Sequence, residues 1–485
     1  MPQISDTTKK NHRHVGVLAG SILGFGVIMS PSPEAFSPEA WKVLGVALLM
    51  ATWWLSEALP VSVTALMPLV LFPALGVFDF KSTAAPYAHP LIFLFMGGFI
   101  IAKAVEIWGL HRRIALLIVR AFGTRPDYLI AGFMLSTATL SMWVSNTATT
   151  VMMLPIALSI IGVFNEKENP NTARNTTTAL LLGIAYSASI GGVGTLVGSP
   201  PNALLAAFAE ERLGIEIGFA QWMIIGLPVV IIMLPLAWLL LTRVTYPVAR
   251  RPIPGADEII SAEIRKLGVM SIEEKRVFAV FIVTALTWVF RPLITTALPS
   301  IGLTDSGIAL IGAVSFFIIP SGKKDGSRLL TWARAVSLPW GVLLLFGGGL
   351  SLAAAISKSG LADIIGSSLS NLEGFPALTL ISAVTILIVF LTEITSNTAT
   401  TAVFLPIVTT VALSMGIAPV EVIIPVTLAA SCAFMMPVAT PPNAIVFASD
   451  RLTVAQMAKA GAILNLTAIV VIILLSSAFV SRVIQ

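Results

Sequence analysis

The stretch "SNTATTVMMLPIA" at residues 145–157 occurs a second time, nearly unchanged, as "SNTATTAVFLPIV" at residues 396–408. Each copy begins with small hydroxyl and amide residues and continues into apolar sequence. The two copies begin 251 positions apart, at residues 145 and 396. A polar motif that recurs at this distance in so apolar a chain must have a physical reason to be there.

Other matches extend the repeat well beyond these two motifs. "FMGG" at residues 95–98 corresponds to "FGGG" at residues 346–349, again 251 positions later. Downstream, "GSPPNA" at residues 198–203 corresponds to "ATPPNA" at residues 439–444, 241 positions later. Ordered matches at a nearly constant offset predict that one half of the chain is written twice, with a shorter loop in the second half.

The composition indicates a membrane protein. Of the 485 residues, 56% are hydrophobic and 11% are charged, and the mean hydropathy is +0.93. Soluble domains carry roughly 25% charged residues, so this chain has too little polar surface to face water. Apolar runs near the ~20 residues that cross a bilayer as a helix recur along it. We predict an all-α polytopic membrane protein with the lipid bilayer as a partner. The one cysteine, Cys432, excludes an intramolecular disulfide.

The distribution of Lys and Arg predicts how the helices are oriented, because cytoplasmic loops are enriched in both residues. Lys9, Lys10 and Arg13 place the N-terminus in the cytoplasm. We assign the net charge of +5 to such loops and not to nucleic-acid binding. Following the basic loops predicts about eleven transmembrane helices and two re-entrant hairpins, at residues 127–161 and 376–412, with the C-terminus outside.

This topology makes the two halves run in opposite directions. Residues 95–109 run from outside to inside, whereas the matching residues 346–360 run from inside to outside. Inverted-topology repeats with interrupted helices are typical of secondary transporters, whose site lies between the repeats near mid-membrane. We divide the chain into an N-terminal segment with the first helix (1–38), a first repeat (39–243), a cytoplasmic connector (244–276) and a second repeat (277–485).

The polar motifs lie where the chain must turn inside the membrane. Irregular backbone is tolerated there only beside protein or a water-filled cavity. Hydroxyl, carboxamide and free carbonyl oxygens suit a hard cation such as Na⁺, and helix N-termini suit an anion. Neither motif contains Lys or Arg. A bound dianion would therefore need bound cations to compensate its charge, which predicts cation-coupled transport.

Other interpretations of the same residues are open at this point. Small residues and Ser/Thr also pack helices together in membranes, although four motifs in two inverted halves favour a binding site. Broken helices occur in ion channels too. An enzyme is not predicted, because neither a nucleophile with a base nor a set of metal ligands is recognisable at membrane depth. No cofactor is predicted; Na⁺ is the expected coupling ion.

Two acidic residues lie within predicted membrane segments, where ionisable groups usually have a role. Glu393 stands beside the second motif, but the residue at the matching place in the first half is Met142. A site shared by both halves does not need this carboxylate. We therefore predict a structural or conformational role for Glu393, and the same for Glu57.

Four segments resemble the divalent-anion/sodium symporter family, which includes bacterial sodium-dicarboxylate transporters of the INDY type. They are "WWLSEALPVSVTALMP" (53–68), "MWVSNTATTVMMLPIA" (142–157), "TEITSNTATTAVFLPI" (392–407) and "TPPNAI" (440–445). The resemblance covers about residues 40–480, and the doubled motif is highly specific. It implies a homodimer in which each protomer has a scaffold domain and an elevator-type transport domain.

The resemblance also implies two Na⁺ sites at the hairpin tips, with a carboxylate substrate between them. The ligands of the first site would be Ser141, Ser145, Asn146 and the carbonyl oxygen of Gly198. The ligands of the second would be Thr392, Thr395, Asn397 and the carbonyl oxygen of Ala439. The substrate carboxylates would meet Asn146, Thr147, Ser199, Asn397, Thr398, Thr440 and Pro441.

Two details of this site are open. Ser199 stands where the family often has Thr, and since the hydroxyl is kept we expect an effect on substrate preference and not on coupling. Gly194 is an alternative to Gly198 as the source of the first carbonyl. The expected function is Na⁺-coupled symport of C4-dicarboxylates such as succinate, malate and fumarate across a bacterial inner membrane. The alternative is a dicarboxylate exchanger, or a citrate or sulfate carrier, on the same fold.

Overall fold

The computed structural model describes residues 6–162, 170–324, 326–368 and 376–480, and only the backbone of residues 6–12, 170, 479 and 480. The side chains of Lys9 and Lys10, on which the predicted N-terminal orientation rests, lie outside this description, as do residues 1–5 and 481–485. Apart from an isolated antiparallel bridge between Pro320 and Arg328, the regular structure of the described residues is helical. The all-α prediction is confirmed.

The helices up to residue 245 include the first polar motif. They are α1 (Asp6–Met29), α2 (Pro38–Leu55), α3 (Val61–Thr64), α4 (Met67–Ala74), α5 (Phe80–Ala84), α6 (Pro90–Ile107), α7 (Leu110–Phe122), α8 (Pro126–Ser141), α9 (Asn146–Ile161), α10 (Pro170–Gly192), α11 (Pro200–Leu213) and α12 (Phe219–Leu239). Short 3₁₀ turns cover Ala85–Ala88 and Leu196–Gly198, and α12 continues as a π-helix over Leu240–Thr245.

The helices after residue 245 include the second polar motif. They are α13 (Ala256–Leu267), α14 (Ile272–Ala297), α15 (Asp305–Ile318), α16 (Trp332–Ala335), α17 (Trp340–Lys358), α18 (Leu361–Ser368), α19 (Ala377–Leu391), α20 (Asn397–Ser414), α21 (Val420–Ala430), α22 (Pro441–Phe447) and α23 (Val454–Leu475), which continues as a π-helix over Ser476–Val480. The series α17–α23 repeats the order of α6–α12.

The two segments predicted as hairpins each form a pair of helices joined by a short turn. Helices α8 and α9 are joined by residues 142–145, and α19 and α20 by residues 392–396. The sequence explains the first turn, because the Ser145 hydroxyl accepts a hydrogen bond of 3.2 Å from the backbone N–H of Ala148 and caps α9.

The paired prolines interrupt two further helices, as the sequence predicts. Pro200 and Pro201 open α11, and Pro441 and Pro442 open α22. Proline is well tolerated in the first turn of a helix, where its missing N–H needs no intrahelical partner. Residues 193–199 and 431–440 therefore form two breaks between α-helices, one in each half, and the first contains the 3₁₀ turn Leu196–Gly198.

Several helices are apolar enough to cross a bilayer. By length and composition, six helical segments of the described chain qualify: Pro90–Ile107, Phe219–Thr245, Ile272–Ala297, Trp340–Lys358, Asn397–Ser414 and Val454–Ala478. Shorter apolar helices include Arg13–Met29, Val61–Ala74 and Val420–Ala430. These segments give the chain its polytopic character.

The segment between the two halves is tied to α7 by ion pairs. Arg112 pairs with Glu263 of α13, and Arg113 donates to both carboxylate oxygens of Glu274 at 2.9 and 3.0 Å. Hydrogen bonds from Lys266 and Arg112 hold the pKa of Glu263 below its ordinary value. The Arg113–Glu274 ion pair is bidentate and mostly buried. Bidentate pairs of this kind are among the strongest charge-assisted hydrogen bonds.

The two halves meet at residues related by the repeat. Phe95 of α6 and Phe346 of α17 are 251 positions apart, and their rings pack edge to face with centroids 5.1 Å apart. Residues that match in the repeat are therefore in direct contact where α6 packs against α17.

Candidate functional site

Both polar turns and both helix breaks face one cavity of about 740 Å³. Ten residues predicted for the site line it: Ser145, Asn146, Thr147, Gly198, Ser199, Asn397, Thr398, Ala439, Thr440 and Pro441. These residues come from four segments spread over almost 300 positions of sequence. The fold thus brings the two copies of each motif to a single place.

The first turn is organised around Ser141 and Asn146. The Ser141 hydroxyl contacts Oδ1 of Asn146 and lies 2.7 Å from the carbonyl oxygen of Ala188 in α10. Ser141 is completely buried, whereas Asn146 is on the cavity wall. The hydroxyl therefore connects the cavity-facing amide of the turn to the helix behind it.

The second turn repeats this arrangement atom for atom. The Thr392 hydroxyl lies 2.7 Å from Oδ1 of Asn397 and 3.0 Å from the carbonyl oxygen of Ala430 in α21. The first two residues stand 251 positions after Ser141 and Asn146, and Ala430 stands 242 positions after Ala188. The shared geometry is local to each half, so each half builds its own turn.

The two helix breaks are held by matching asparagines. Nδ2 of Asn202 donates to the carbonyl oxygens of Gly192 (2.9 Å) and Thr195 (2.8 Å). Nδ2 of Asn443 donates to Ala433 (3.2 Å) and Met436 (3.0 Å), the residues 241 positions later. Both asparagines are completely buried. Each one replaces the helical hydrogen bonds that the break removes.

Matching buried oxygens beside the two turns have no hydrogen-bond partner among the described residues. They are the hydroxyls of Ser189 and Ser431 and the Oδ1 atoms of Asn202 and Asn443. Buried oxygens without a donor are costly unless a ligand satisfies them. Oxygen atoms are the ligands that a hard cation prefers. The unpartnered oxygens in each half therefore fit Na⁺ as a ligand.

The two glycines proposed as the source of the first carbonyl have different surroundings. A Cβ atom on Gly192 would lie 2.8 Å from Oδ1 of Asn146 and 3.0 Å from the carbonyl oxygen of Gly198. The amide of Asn146 and the Gly198 carbonyl therefore both lie against Gly192. Gly194 instead approaches the side chain of Met142 and does not line the cavity.

Three predicted residues do not line the cavity: Ser141, Thr392 and Thr395. Thr395 is 5% exposed, and its hydroxyl contacts the carbonyl oxygen of Leu391 (2.9 Å) and the hydroxyl of Thr400 (2.7 Å). The residue 251 positions after Ser145 is Ser396, and it does line the cavity. Strict use of the repeat offset would have found Ser396.

Three helices of at least 14 residues begin at the cavity wall, and the short α22 begins there too, at Pro441. Asn146 is the first residue of α9, Asn397 the first of α20, and Pro200 the first of α11. The unpaired N–H groups and the dipole at a helix N-terminus attract negative charge. The cavity therefore offers neutral oxygens for a cation and helix N-termini for an anion.

A family model described as the sodium:sulfate symporter transmembrane region matches residues 11–484. The chain belongs to this family. A relative from Staphylococcus saprophyticus, named sodium-dependent dicarboxylate transporter SdcS, is 41% identical over 466 residues, which cover 95% of this chain and 90% of the relative. A protein of the same name from Staphylococcus aureus is 40% identical over 481 residues, covering 97% and 92%. The resemblance read from the four sequence segments is confirmed.

A solved structure shares the fold of this family member. The YdaH transporter of Alcanivorax borkumensis superimposes with a TM-score of 0.60 over 98% of this chain and 97% of that chain, at 14% sequence identity. At so low an identity the likeness concerns the fold alone. It agrees with the polytopic helical architecture described above.

The sequence analysis missed two charged residues of the cavity, Lys103 and Glu106 of α6. Glu57, for which it predicted a structural or conformational role, lines the cavity too. The Lys103 ammonium lies 3.0 Å from Oε1 of Glu106, so this pair adds little net positive charge to the cavity. The signal was present, because a lysine inside an apolar helix is unusual and commonly faces a polar interior.

Proposed function

We propose that this protein is a Na⁺-coupled symporter that carries C4-dicarboxylates such as succinate, malate and fumarate into a bacterial cell. The observation that carries the proposal is the pair of matching polar turns facing one cavity. Each turn offers neutral oxygens for a cation, and the helices that begin at the cavity wall offer their N-termini to a dianion. The names of the two relatives, which specify sodium and dicarboxylate, support the choice of ion and substrate.

The two cations bind at the two turns. The first site consists of Ser141, Ser145, Asn146 and the carbonyl oxygen of Gly198. The second consists of Thr392, Thr395, Asn397 and the carbonyl oxygen of Ala439. The matching hydrogen bonds of Ser141 and Thr392 support both assignments. The position of Asn146 and the Gly198 carbonyl against Gly192 supports Gly198 over Gly194.

The dianion binds between the two cations. Its carboxylates meet Asn146, Thr147, Ser199, Asn397, Thr398, Thr440 and Pro441, all of which line the cavity. Cations bind first and order the turns, and the dianion follows because the bound cations supply the missing positive charge. Only the fully loaded or the empty transport domain then crosses the membrane, which couples the two gradients.

The proposed architecture follows the charge distribution of the loops. About eleven helices span the inner membrane, with the N-terminus in the cytoplasm and the C-terminus outside. Residues 127–161 and 376–412 enter and leave on one side, within inverted repeats at 39–243 and 277–485 that follow an N-terminal segment (1–38) and are joined by a cytoplasmic connector (244–276). Two copies of the chain form a homodimer in which the transport domains move in an elevator-like fashion.

The proposed orientation of the helices also indicates which way the cavity opens. Glu57, Lys103 and residues 337–339 all line the cavity, and each lies near the cytoplasmic end of its predicted helix. The cavity therefore opens toward the cytoplasm, and the conformation is the inward-facing one. In this state the substrate would be released into the cell.

Uptake of radiolabelled succinate into proteoliposomes tests the proposed function. We expect uptake with an inward Na⁺ gradient and none above background with an equal K⁺ or choline gradient, because the site lacks charge compensation without Na⁺. Malate and fumarate should compete with succinate. The same vesicles with the Na⁺ gradient collapsed by an ionophore serve as the control.

Two results would contradict this function in different ways. Uptake that ignores Na⁺ but requires internal dicarboxylate would identify an exchanger on the same fold. Competition by sulfate in place of malate would identify a sulfate carrier, a candidate that the description of the family supports.

A further inference from the structure

Glu393 is a buried acid beside the second turn, with 4% of its surface exposed. Its carboxylate oxygens accept hydrogen bonds of 2.7–3.0 Å from three consecutive backbone N–H groups, at residues 434–436, and one of 2.7 Å from Nδ2 of Asn465. Successive N–H groups that converge in this way form an anion-binding nest. The carboxylate thus holds the break that leads to Ala439 and Thr440 on the cavity wall.

The first half holds its break without a charge. Met142 stands where the second half has Glu393, and its carbonyl oxygen accepts a hydrogen bond from the Thr195 hydroxyl. The Thr195 hydroxyl oxygen also accepts a hydrogen bond of 3.1 Å from the backbone N–H of Gly198. The two turns therefore share the hydroxyl–amide contact of Ser141 with Asn146 and of Thr392 with Asn397, but only the second has a carboxylate behind it.

The charge of Glu393 is not neutralised by a basic side chain. All of its donors named above are neutral, and none of the ion pairs in the described parts of the chain includes it. A charge buried at membrane depth is costly without an opposite partner. Thr392 is its neighbour in sequence, with adjacent Cα atoms about 3.8 Å apart. A cation at the second turn would be a positive charge close to this carboxylate.

We propose that Glu393 makes the second Na⁺ site the tighter of the two, so that it fills at lower Na⁺ concentration than the first. This inference rests on the proposed function. At an effective dielectric constant of about 20, a unit charge within about 10 Å changes cation affinity roughly ten-fold or more. Glu393 does not line the cavity and is a positioning residue, which acts on the ion through its field and on the loop through its hydrogen bonds.

Single-site variants of the full-length protein test the difference between the sites. Ser141→Ala leaves only the second site intact, and Thr392→Val leaves only the first. The measurement is the rise in thermal unfolding midpoint of the purified protein with Na⁺, without substrate and with K⁺ replacing Na⁺ at constant ionic strength, because a ligand of the folded state stabilises it according to its dissociation constant. We expect Ser141→Ala to respond at roughly ten-fold lower Na⁺ than Thr392→Val. Equal or reversed concentrations would overturn the inference.

Adding Glu393→Gln to each variant separates the effect of the Glu393 charge on Na⁺ affinity from the effect of its hydrogen bonds to residues 434–436. In the Ser141→Ala background, the required Na⁺ concentration should rise roughly ten-fold, and in the Thr392→Val background by no more than about two-fold. Glu393→Asp keeps the charge and should restore the affinity. A role in holding the loop alone would lower the midpoint without Na⁺ in both backgrounds and leave the Na⁺ concentrations unchanged. If the Gln variants do not fold, the comparison of the two single-site variants still decides whether the second site binds Na⁺ more tightly than the first.

The response of the unmodified protein to Na⁺ shows whether the proposed Na⁺ coupling or only the role of Glu393 fails. If Na⁺ does not raise its midpoint above K⁺, the proposed Na⁺ coupling fails and this inference falls with it. If Na⁺ does raise the midpoint but the two single-site variants respond at the same concentration, only the inference about Glu393 fails.

Discussion

Asn146→Ala is expected to weaken Na⁺ dependence and dicarboxylate affinity together. The Asn146 side chain lies on the cavity wall and its Oδ1 is the partner of the buried Ser141 hydroxyl. Removing it takes an oxygen from the first cation site and a donor from the substrate site at once. Loss of one such polar contact in a buried site costs about 1–3 kcal/mol, so we expect the half-saturating concentrations of both Na⁺ and succinate to rise roughly 10- to 100-fold.

The measurement is the initial rate of succinate uptake into proteoliposomes, titrated separately with Na⁺ and with succinate. Asn175→Ala is the matched control, because Asn175 donates to the carbonyl oxygen of Pro247 at an exposed position away from the cavity. Its two half-saturating concentrations should stay within about two-fold of the unmodified protein, as for most surface substitutions. If Asn146→Ala changed only one of the two concentrations, a residue shared by both sites would be ruled out.

Asn202→Leu and Asn443→Leu are expected to abolish most of the uptake and to destabilise the protein. Leucine has nearly the shape of asparagine but cannot donate to the two carbonyl oxygens that each Nδ2 atom holds. Two buried carbonyl oxygens would lose the Nδ2 donor in each variant. Those of Thr195 and Met436 keep a backbone N–H donor, so the main cost is the loss at Gly192 or Ala433, about 1–3 kcal/mol. The breaks that carry Gly198 and Ala439 to the cavity would then lose their shape.

Two measurements separate the site from the fold. Thermal unfolding in detergent should show a lowered midpoint for both variants, and uptake should fall at least ten-fold, which corresponds to about 1.4 kcal/mol. Asn175→Leu is the control for the chemical change itself. The two variants should also behave alike, because the contacts of Asn202 and Asn443 match at an offset of 241. Normal uptake by either variant would show that the breaks do not depend on these asparagines.

Much of the fold could be predicted from the residues because its signals are local. The length of apolar runs predicts helices in a bilayer, Ser145 caps the helix that follows it, and Pro200 and Pro441 open helices where the sequence places paired prolines. The doubled motif predicts two equivalent turns, since an offset of 251 needs no coordinates to be seen. The family resemblance drew on the same local motifs.

The composition of the cavity depended on contacts that the sequence does not specify. The offset predicts that Asn146 and Asn397 are equivalent, but only the packing of α6 against α17 shows that both line one cavity. The place of Lys103 on that wall depends in the same way on how α6 is rotated in the fold.

The sequence by itself determined the helices, the repeat and the two polar turns, because each is encoded in neighbouring residues or in spacing along the chain. The tertiary structure decided that Asn146 and the Gly198 carbonyl both lie against Gly192, and that Glu393 meets the N–H groups of residues 434–436. These are approaches of a side chain to backbone atoms distant in sequence. They follow from how the helix breaks pack against the turns, and no local pattern of residues encodes that distance.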